Sequence, residues 1–563
     1  MQQLSLRTKD RKPLHQKPAE GKGVVYTKPW VTELILDLAG YVAEADLASA
    51  IAIEPAAGDG AFLLPMVRRL IKSCVIHNRA LIECSTSILA YELNESSAEN
   101  AKAVVVDALK NEGVTKAEAY RLANSWIKVG DYLLDAPDLP AADFVIGNPP
   151  YIRLEDIPEL ICDDYRALYP TMKGRADIYV GFYEAALRQL KPEGTCAFIC
   201  ADRWMLNQYG GELRKFITGN FSVDAVIEMH NANAFEEEVN AYPAITIIRR
   251  KLQGRVMVAA AGNGSVTGQA AHAIIEYFQH PIVGVAKTDA HVSMTIVDDW
   301  FHGVAPWPCG SPDRLKLLRR LENAFEPLES VDTGTKVGIG VATGLDEVFI
   351  TKDATLVEQE RLLPLAMAHD TTSGRLKWSG NYLVNPWNGS GLVELDTYPR
   401  LKAYLEQYEP ELKLRHTAQK TPKNWYKTID KVNAALTARA KLYIPDIKDR
   451  FNPVLDNGEA YPHHNLYFIH SDIWDLEVLG GLLLSQVAQL FIDMYGVKMR
   501  GGWLRFQAQY LRKVRVPRPD QISSVLADKL RVAFRQRDYY SATEAAFELY
   551  GITIQERKHA FGH

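Results

Sequence analysis

The sequence predicts an open α/β sheet domain followed by a separate α+β domain, and three observations lead there. Apolar, β-branched runs alternate with amphipathic stretches over residues 23–253. The first three runs end in acids, Glu54, Glu92 and Asp131, and the fourth ends in Gly147-Asn148-Pro149-Pro150-Tyr151. From about Gly254 the alternation stops, and short strands with Gly, Pro and Asn turns replace it.

Composition bounds the function. A chain of 563 residues makes two or three domains, and 47% hydrophobic with 24% charged residues is ordinary for a soluble globular protein. The formal net charge of −5 means that any nucleic-acid footprint has to be a local basic patch. The six Cys are scattered, with no C-x-x-C and no His at ligand spacing, so neither a disulfide framework nor a metal site is expected. Cys196 and Cys200 fall on one face of a predicted strand and read as buried thiols. No N-terminal apolar segment of signal type is present, and the longest apolar stretch, Leu479 to Ile492, is too short and interrupted to span a bilayer. A reduced, cytoplasmic enzyme that meets no membrane is the expectation.

In chain order, residues 1–22 are polar and basic and read as a tail. In Tyr26-Thr27-Lys28-Pro29-Trp30, Thr27 fits an N-cap and Pro29 the first turn of a helix reaching about Ala39. Residues 51–64 read as strand, Gly-rich turn and helix. Gly58 and Gly60 let a backbone pass close to a ligand at a helix N-terminus. Leu63 stands where a dinucleotide fingerprint has its third Gly, and no Lys-Ser/Thr follows, so a P-loop is excluded. Glu54, at the strand end, suits a ligand's ammonium better than a pyrophosphate. Residues 87–92 form a second strand, and an acid at its end, Glu92, can accept from ribose hydroxyls. Helices follow at about 96–110 and 116–124, then a third strand ending in Asp131. Ligands of open α/β sheets bind outside the strand C-termini, so the three acids and Asn148 share one edge.

The run Phe144-Val145-Ile146 is a buried strand stopped by Gly and two Pro. Each Pro lacks an N–H and extends the residue before it, which leaves carbonyls facing outward as acceptors. Asn148 adds a side-chain carbonyl, and Tyr151 adds a flat ring with a polar tip. Such a turn suits a planar group bearing an exocyclic amine; its bland alternative is a plain strand-ending turn.

The order Tyr26-Thr27, Glu54-Pro55-Ala56-Ala57-Gly58-Asp59-Gly60, Glu92, Asp131, Asn148-Pro149-Pro150-Tyr151 resembles the gamma class of DNA adenine-N6 methyltransferases, the N-P-P-Y modification enzymes of type II restriction–modification systems. The resemblance continues through Gly174-Arg175-Ala176-Asp177-Ile178-Tyr179, Leu190-Lys191-Pro192-Glu193-Gly194 and Phe235, covering roughly the first 250 residues well. It implies a Rossmann-like S-adenosylmethionine-dependent fold with a mixed seven-stranded sheet over 23–253. A connecting region at 254–330, a target-recognition domain at 331–520 and C-terminal helices at 521–563 would follow. It implies that Thr27 and Glu54, with Tyr26 and Ala56 nearby, hold the methionine end of S-adenosylmethionine. Gly58 and Gly60 allow close approach, Glu92 takes the ribose and Asp131 the cofactor's adenine amine. Asn148 and the Pro149 carbonyl accept from the target amine, with Asn148 also bordering the cofactor. Tyr151 stacks on the base, and Phe235, beside the acidic Glu236-Glu237-Glu238, meets its other side.

In the C-terminal half, Val337 to Gly344 is a Gly-rich strand and turn, and Arg314–Ala324 and 521–549 read as helices. Two stretches are basic: Lys413 to Arg450, with ten Lys/Arg among Trp425, Tyr426 and Tyr443, and Lys498 to Arg518, with seven Lys/Arg and no acid. Basic and aromatic residues together suit phosphate contact, which makes Lys420, Lys423, Lys427, Arg500, Arg505, Arg512 and Lys513 the candidate contacts to double-stranded DNA. A solvated helix face is the competing reading. Glu411-Leu412-Lys413 is a lone E-x-K, so no fused nuclease is expected and a cognate restriction endonuclease would be a separate chain. The same acceptor turn could also serve an RNA base or a protein glutamine, and a non-catalytic DNA-binding relative is the reading from another class.

Overall fold

The computed structural model describes residues 26–230, 232–237, 242–261, 268–281, 287–288, 292–308, 310–496 and 503–562. The basic tail, Glu238, Lys498 and Arg500 lie outside the described residues. The chain separates into two compact units, one running to Leu315 and one starting at Lys316.

The first unit is built on one mixed sheet. Its strands are β1 (Ala52–Glu54), β2 (Ile88–Glu92), β3 (Ile127–Val129), β4 (Ala142–Gly147), β5 (Leu190–Ala201), β6 (Ser222–Glu228), β7 (Pro243–Arg249), β8 (Val256–Ala261), β9 (Lys287–Thr288) and β10 (Val292–Val297). They lie in the order β3-β2-β1-β4-β5-β7-β6-β8-β10-β9. β1 to β5 run parallel, while β7 is antiparallel to both β5 and β6. The span expected to carry seven strands, 23–253, holds β1 to β7, and three strands from beyond it bring the sheet to ten among the described residues. β8 pairs in parallel with β6, and β10 then pairs with β8. These strands, from the stretch expected to be a connection, cover a sheet edge that would otherwise leave backbone N–H and C=O groups unpaired.

From the centre, chain order runs outward through β2 and β3 on one side and through β5 on the other. The reversal puts a crevice beyond the tips of β1 and β4. There β1 and β4 lie in register, with Ala52 opposite Phe144 and Ile53 opposite Val145. Their ends nearly touch: a Cβ on Gly147 would stand 3.3 Å from Pro55 Cδ. Gly58 and Gly60, at φ +52° and +95°, make the left-handed turn after β1 that a side chain would strain.

Helices cover the sheet as the apolar spacing predicts. α1 (Pro29–Ala39) ends on Gly40 in the left-handed conformation. Its N-cap is Lys28, not Thr27, and no side chain caps it. α2 (Leu63–Ile76) buries Leu63, Met66, Val67, Leu70, Ile71 and Cys74, the i, i+3, i+4, i+7 stripe of a core-facing helix. α3 (Glu95–Asn111) and α4 (Lys116–Trp126) start on the side-chain caps of Asn94 and Thr115. α5 (Tyr179–Gln189) leads into β5, where Cys196 and Cys200 are both buried.

The second unit is α+β. One four-stranded sheet has Leu466–His470 and Lys441–Pro445 at its centre, and another has Tyr382–Val384 and Leu362–Ala366. The long apolar stretch forms two buried helices, Leu476–Leu484 and Gln486–Tyr495, bent by 65°. Among the described residues no single helix is long and apolar enough to cross a membrane.

Lys441, one of the ten basic residues of the first basic stretch, is fully buried. Its Nζ lies 2.6 Å from Asp456 Oδ2 and donates to the carbonyls of Thr437 and Arg439. Tyr443 also donates to Asp456, at 2.7 Å. Burial pulls the Lys441 pKa down, against the opposing pull of Asp456. Removing one partner of a buried ion pair strands the other charge, so Lys441→Ala should cost about 3–5 kcal/mol in urea unfolding. An exposed lysine would cost less than about 1 kcal/mol.

Candidate active site

The three strand-tip acids differ in their environments. Glu54 is 1% exposed, and its Oε2 is buried without a hydrogen-bond partner. Burial first, and the Glu92 charge second, hold its pKa well above the usual carboxylate range. A buried, unsatisfied carboxylate oxygen at a sheet crevice calls for a cationic ligand group.

Glu92 organises the glycine turn. Its Oε2 accepts from the Gly58 N–H at 2.8 Å and its Oε1 from the Asn94 N–H at 2.7 Å. Burial raises its pKa, while those N–H donors oppose the rise. Ala57 N–H also donates to the Tyr91 carbonyl at 2.7 Å, closing the turn onto β2. Gly60 is buried, and Ala56 and Gly58 are partly accessible. Tyr26, at the unit's surface, donates to Asp59 Oδ2 at 2.9 Å.

Asp131 is satisfied from within the chain. Its Oδ1 accepts from the N–H groups of Leu133 and Leu134, and its Oδ2 accepts from the Tyr165 hydroxyl at 2.5 Å. Burial leads the rise in its pKa, and these donors oppose it. A ligand amine reaching Asp131 would share or displace the Tyr165 hydroxyl.

At the tip of β4, Pro149 is buried and Asn148 partly so. Asn148 Nδ2 donates to Thr27 Oγ1 at 3.2 Å. With the amide nitrogen turned to Thr27, the carbonyl oxygen faces away from it. Thr27 therefore tethers Asn148 instead of capping α1.

The aromatic residues converge on this turn. The Tyr151 ring meets Phe235 edge-on at 6.5 Å and 78°, and Tyr179 edge-on at 6.3 Å and 87°. Phe235 comes from the loop after β6. It is held there by a backbone bridge to Thr27, by Glu236 N–H on the Tyr26 carbonyl at 3.0 Å, and by Lys28 N–H on the Ala234 carbonyl at 2.9 Å. The segment that tethers Asn148 thus also carries the ring that packs edge-on against Tyr151. The structure brings Tyr26, Thr27, Asn148, Tyr151 and Phe235 into one cluster, and Glu54, Gly58 and Glu92 into an adjoining one.

In the second unit, the expected phosphate contacts separate into two groups. Lys420 and Lys423 are exposed, and Lys427 reaches Thr421 Oγ1 at 2.8 Å. Arg505 forms a two-pronged ion pair with Asp446. Arg512 binds Glu329 at 2.9 Å and the Val337 carbonyl at 2.7 Å, and Lys513 lies 5.4 Å from the Tyr495 ring centre. Those three guanidinium and ammonium groups are engaged within the unit. Arg500 lies outside the described residues.

Sequence reasoning missed several residues at the crevice. Asp177 Oδ2 accepts from Tyr179 at 2.7 Å and Tyr209 at 3.3 Å, fixing the ring behind Tyr151. Asp177 and Tyr179 stand in a noticed motif, so a side-chain role could have been assigned there. Tyr165 and Tyr209 carry no local signal. In the second unit, Asp346, His463 and His464 each offer a ligand atom within 4.8 Å of the others, and His463 Nε2 sits 3.2 Å from Asp346 Oδ2. Their separation in sequence hides this group from any spacing rule.

Residues 85–235 match the family model of the Eco57I restriction-modification methylase. The chain is 42% identical over 547 residues to the Type II methyltransferase M.PaeR7I of Pseudomonas aeruginosa, covering 96% of this chain and 93% of that one. It is 42% identical over 548 residues to the Type II methyltransferase M.XhoI of Xanthomonas vasicola, covering 95% and 98%. Among solved structures it shares the fold of the Type IIL restriction-modification enzyme MmeI in complex with DNA. The TM-score is 0.56 at 12% identity, over 93% of this chain and 74% of that one. With relatives this similar along nearly its whole length, the chain belongs to the type II methyltransferases of restriction-modification systems.

Proposed function

We propose that this methyltransferase uses S-adenosylmethionine to methylate N6 of an adenine swung out of double-stranded DNA, at a site it protects from a cognate restriction endonuclease. The observation that carries the reading is the Asn148–Thr27 hydrogen bond, which turns the amide carbonyl away from Thr27 at a strand tip that also carries Tyr151, with Phe235 packed against that ring. The cradle fits the cofactor: the unpartnered Glu54 oxygen suits its ammonium, the Gly58 turn its close approach, and Glu92 its ribose. S-adenosylmethionine, when bound, supplies a methyl already activated on a sulfonium.

The protein's own residues do the rest. Adenine's amine is a weak nucleophile because its lone pair is delocalised into the ring. Asn148 Oδ1 and the Pro149 carbonyl, accepting its two hydrogens, favour tetrahedral nitrogen and stabilise the positive charge that develops there. The cradle would hold the methyl donor next to the turn that holds the amine, and that proximity would supply much of the rate. Tyr151 and Phe235 replace stacking that the base loses on leaving the duplex. Exposed Lys420 and Lys423 suit phosphate contact, which positions DNA without reading its sequence. Labelled cofactor offered with DNA, RNA or protein separates this reading from its alternatives directly.

Asn148→Ala should lower kcat by about 10²- to 10³-fold, the effect of removing one such acceptor. DNA affinity, measured by gel shift, should stay within about threefold. Wild-type turnover by Asn148→Ala would contradict the role.

Glu54 must ionise to hold an ammonium, and its pKa is raised in the free protein. Cofactor affinity should therefore weaken as pH falls through that raised value and level off above it. Calorimetry on Glu54→Gln should show about 30-fold weaker binding or worse and a flat pH dependence.

The double variant Lys420→Ala/Lys423→Ala should weaken DNA binding alike for cognate and unrelated duplexes. The slope of log affinity against log salt should fall by about 0.9 for each phosphate that is no longer neutralised.

A further inference from the structure

The loop that carries Phe235 leaves β6 and returns in β7, and both of its ends are tied to one histidine. His230 Nε2 lies 2.6 Å from Asp202 Oδ2, just past β5, and its Nδ1 lies 2.8 Å from Glu228 Oε1, at the end of β6. The His230 side chain is 10% exposed. Its ring packs edge-on against Tyr242, centroids 4.9 Å apart, where the loop rejoins the sheet. The Asp202 N–H donates to the Tyr242 carbonyl at 2.9 Å, and Met229 N–H donates to the Pro243 carbonyl at 2.9 Å. The imidazole thus spans the start of β7, joining two strand tips that β7 separates.

Nε2 makes the hydrogen bond, to Asp202, while Nδ1 stands at ion-pair distance from Glu228. A neutral imidazole offers neither acid a counter-charge, and the imidazolium pairs with both. Burial alone would lower the pKa, but the Asp202 and Glu228 carboxylates outweigh it and raise it to about 9. The groups facing the ring are these two acids and Tyr242, and Arg203 acts on Tyr242 from the start of the next helix.

Further along, the loop is sewn to Tyr26 and Lys28. Phe235 is therefore held between two fixtures, the backbone ladder on one side and the histidine on the other. We propose that His230 is a positioning residue: a charged clasp that sets the Phe235 wall at the distance from Tyr151 that the extruded base needs. This rests on the base-extrusion reading above. His230 itself takes no part in methyl transfer. It belongs to the wall rather than to the cofactor cradle of Glu54, Gly58 and Glu92.

The test compares wild type, His230→Gln and Asp202→Asn in methylation of duplex DNA from a methylation-free host, from pH 7 to 10, with S-adenosylmethionine binding followed by calorimetry. His230→Gln should lose roughly 10- to 100-fold in kcat, the scale of a misplaced wall, while its cofactor Kd stays within about twofold. Wild-type kcat should fall as pH rises through about 9, and His230→Gln should lack that alkaline limb. Asp202→Asn removes one carboxylate and should move the limb to lower pH. Normal kcat with an unchanged limb in His230→Gln overturns the clasp. Should that variant fail to fold by thermal melt, an unmoved limb in Asp202→Asn overturns it instead. Wild-type protein that binds no S-adenosylmethionine or leaves DNA unmethylated defeats the site reading, which is a separate outcome from variants that behave like an active wild type.

Discussion

The tips of β1 and β4 are pressed together, and the rest of the site follows from that closeness. Gly147 admits the approach because any side chain there would crowd Pro55. The approach puts the buried Glu54 carboxylate at the foot of the turn that begins at Asn148. It lets the segment before α1 reach Asn148 through Thr27. The proposed cofactor cradle and acceptor turn are thus adjoining strand ends rather than features assembled from separate loops, as expected where an α/β sheet reverses its winding.

Two kinds of rigidity serve the two halves of the crevice. The cradle stores electrostatic demand: Glu54 is kept buried and under-satisfied, and Glu92 is held by backbone N–H groups that also shape the glycine turn. The acceptor side is held by shape. Two prolines fix the backbone, Tyr179 is braced by Asp177, and Phe235 is bound to the same short segment that orients Asn148. Burial holds the Glu54 carboxyl's pKa up in the free protein, and a cationic group beside it would offset the cost of ionising it.

Local signals were readable in the sequence, and long-range ones were not. The strand-ending acids, the Gly58-Asp59-Gly60 turn and Asn148-Pro149-Pro150-Tyr151 are contiguous, and each emerged where its residue types require. Thr27 looked like an N-cap because it precedes Pro29. Its hydroxyl is turned to Asn148 by an interaction that no local pattern encodes. Tyr165 satisfies Asp131 from a helix that the sequence does not mark as part of the crevice. The extra strands β8 to β10 could not be assigned to this sheet, because pairing to the β6 edge is a tertiary event. Charge counting in the second unit overstated the free basic surface: Lys441 is buried against Asp456, and Arg505 is clamped by Asp446. Composition shows that cations are present, and only packing shows which of them face outward.

The most direct measurement is nucleoside analysis of duplex DNA incubated with the purified protein and S-adenosylmethionine carrying a labelled methyl group. Label is expected in N6-methyladenine alone, at one recurring sequence. Label in a modified cytosine, in RNA or protein only, or nowhere would contradict it.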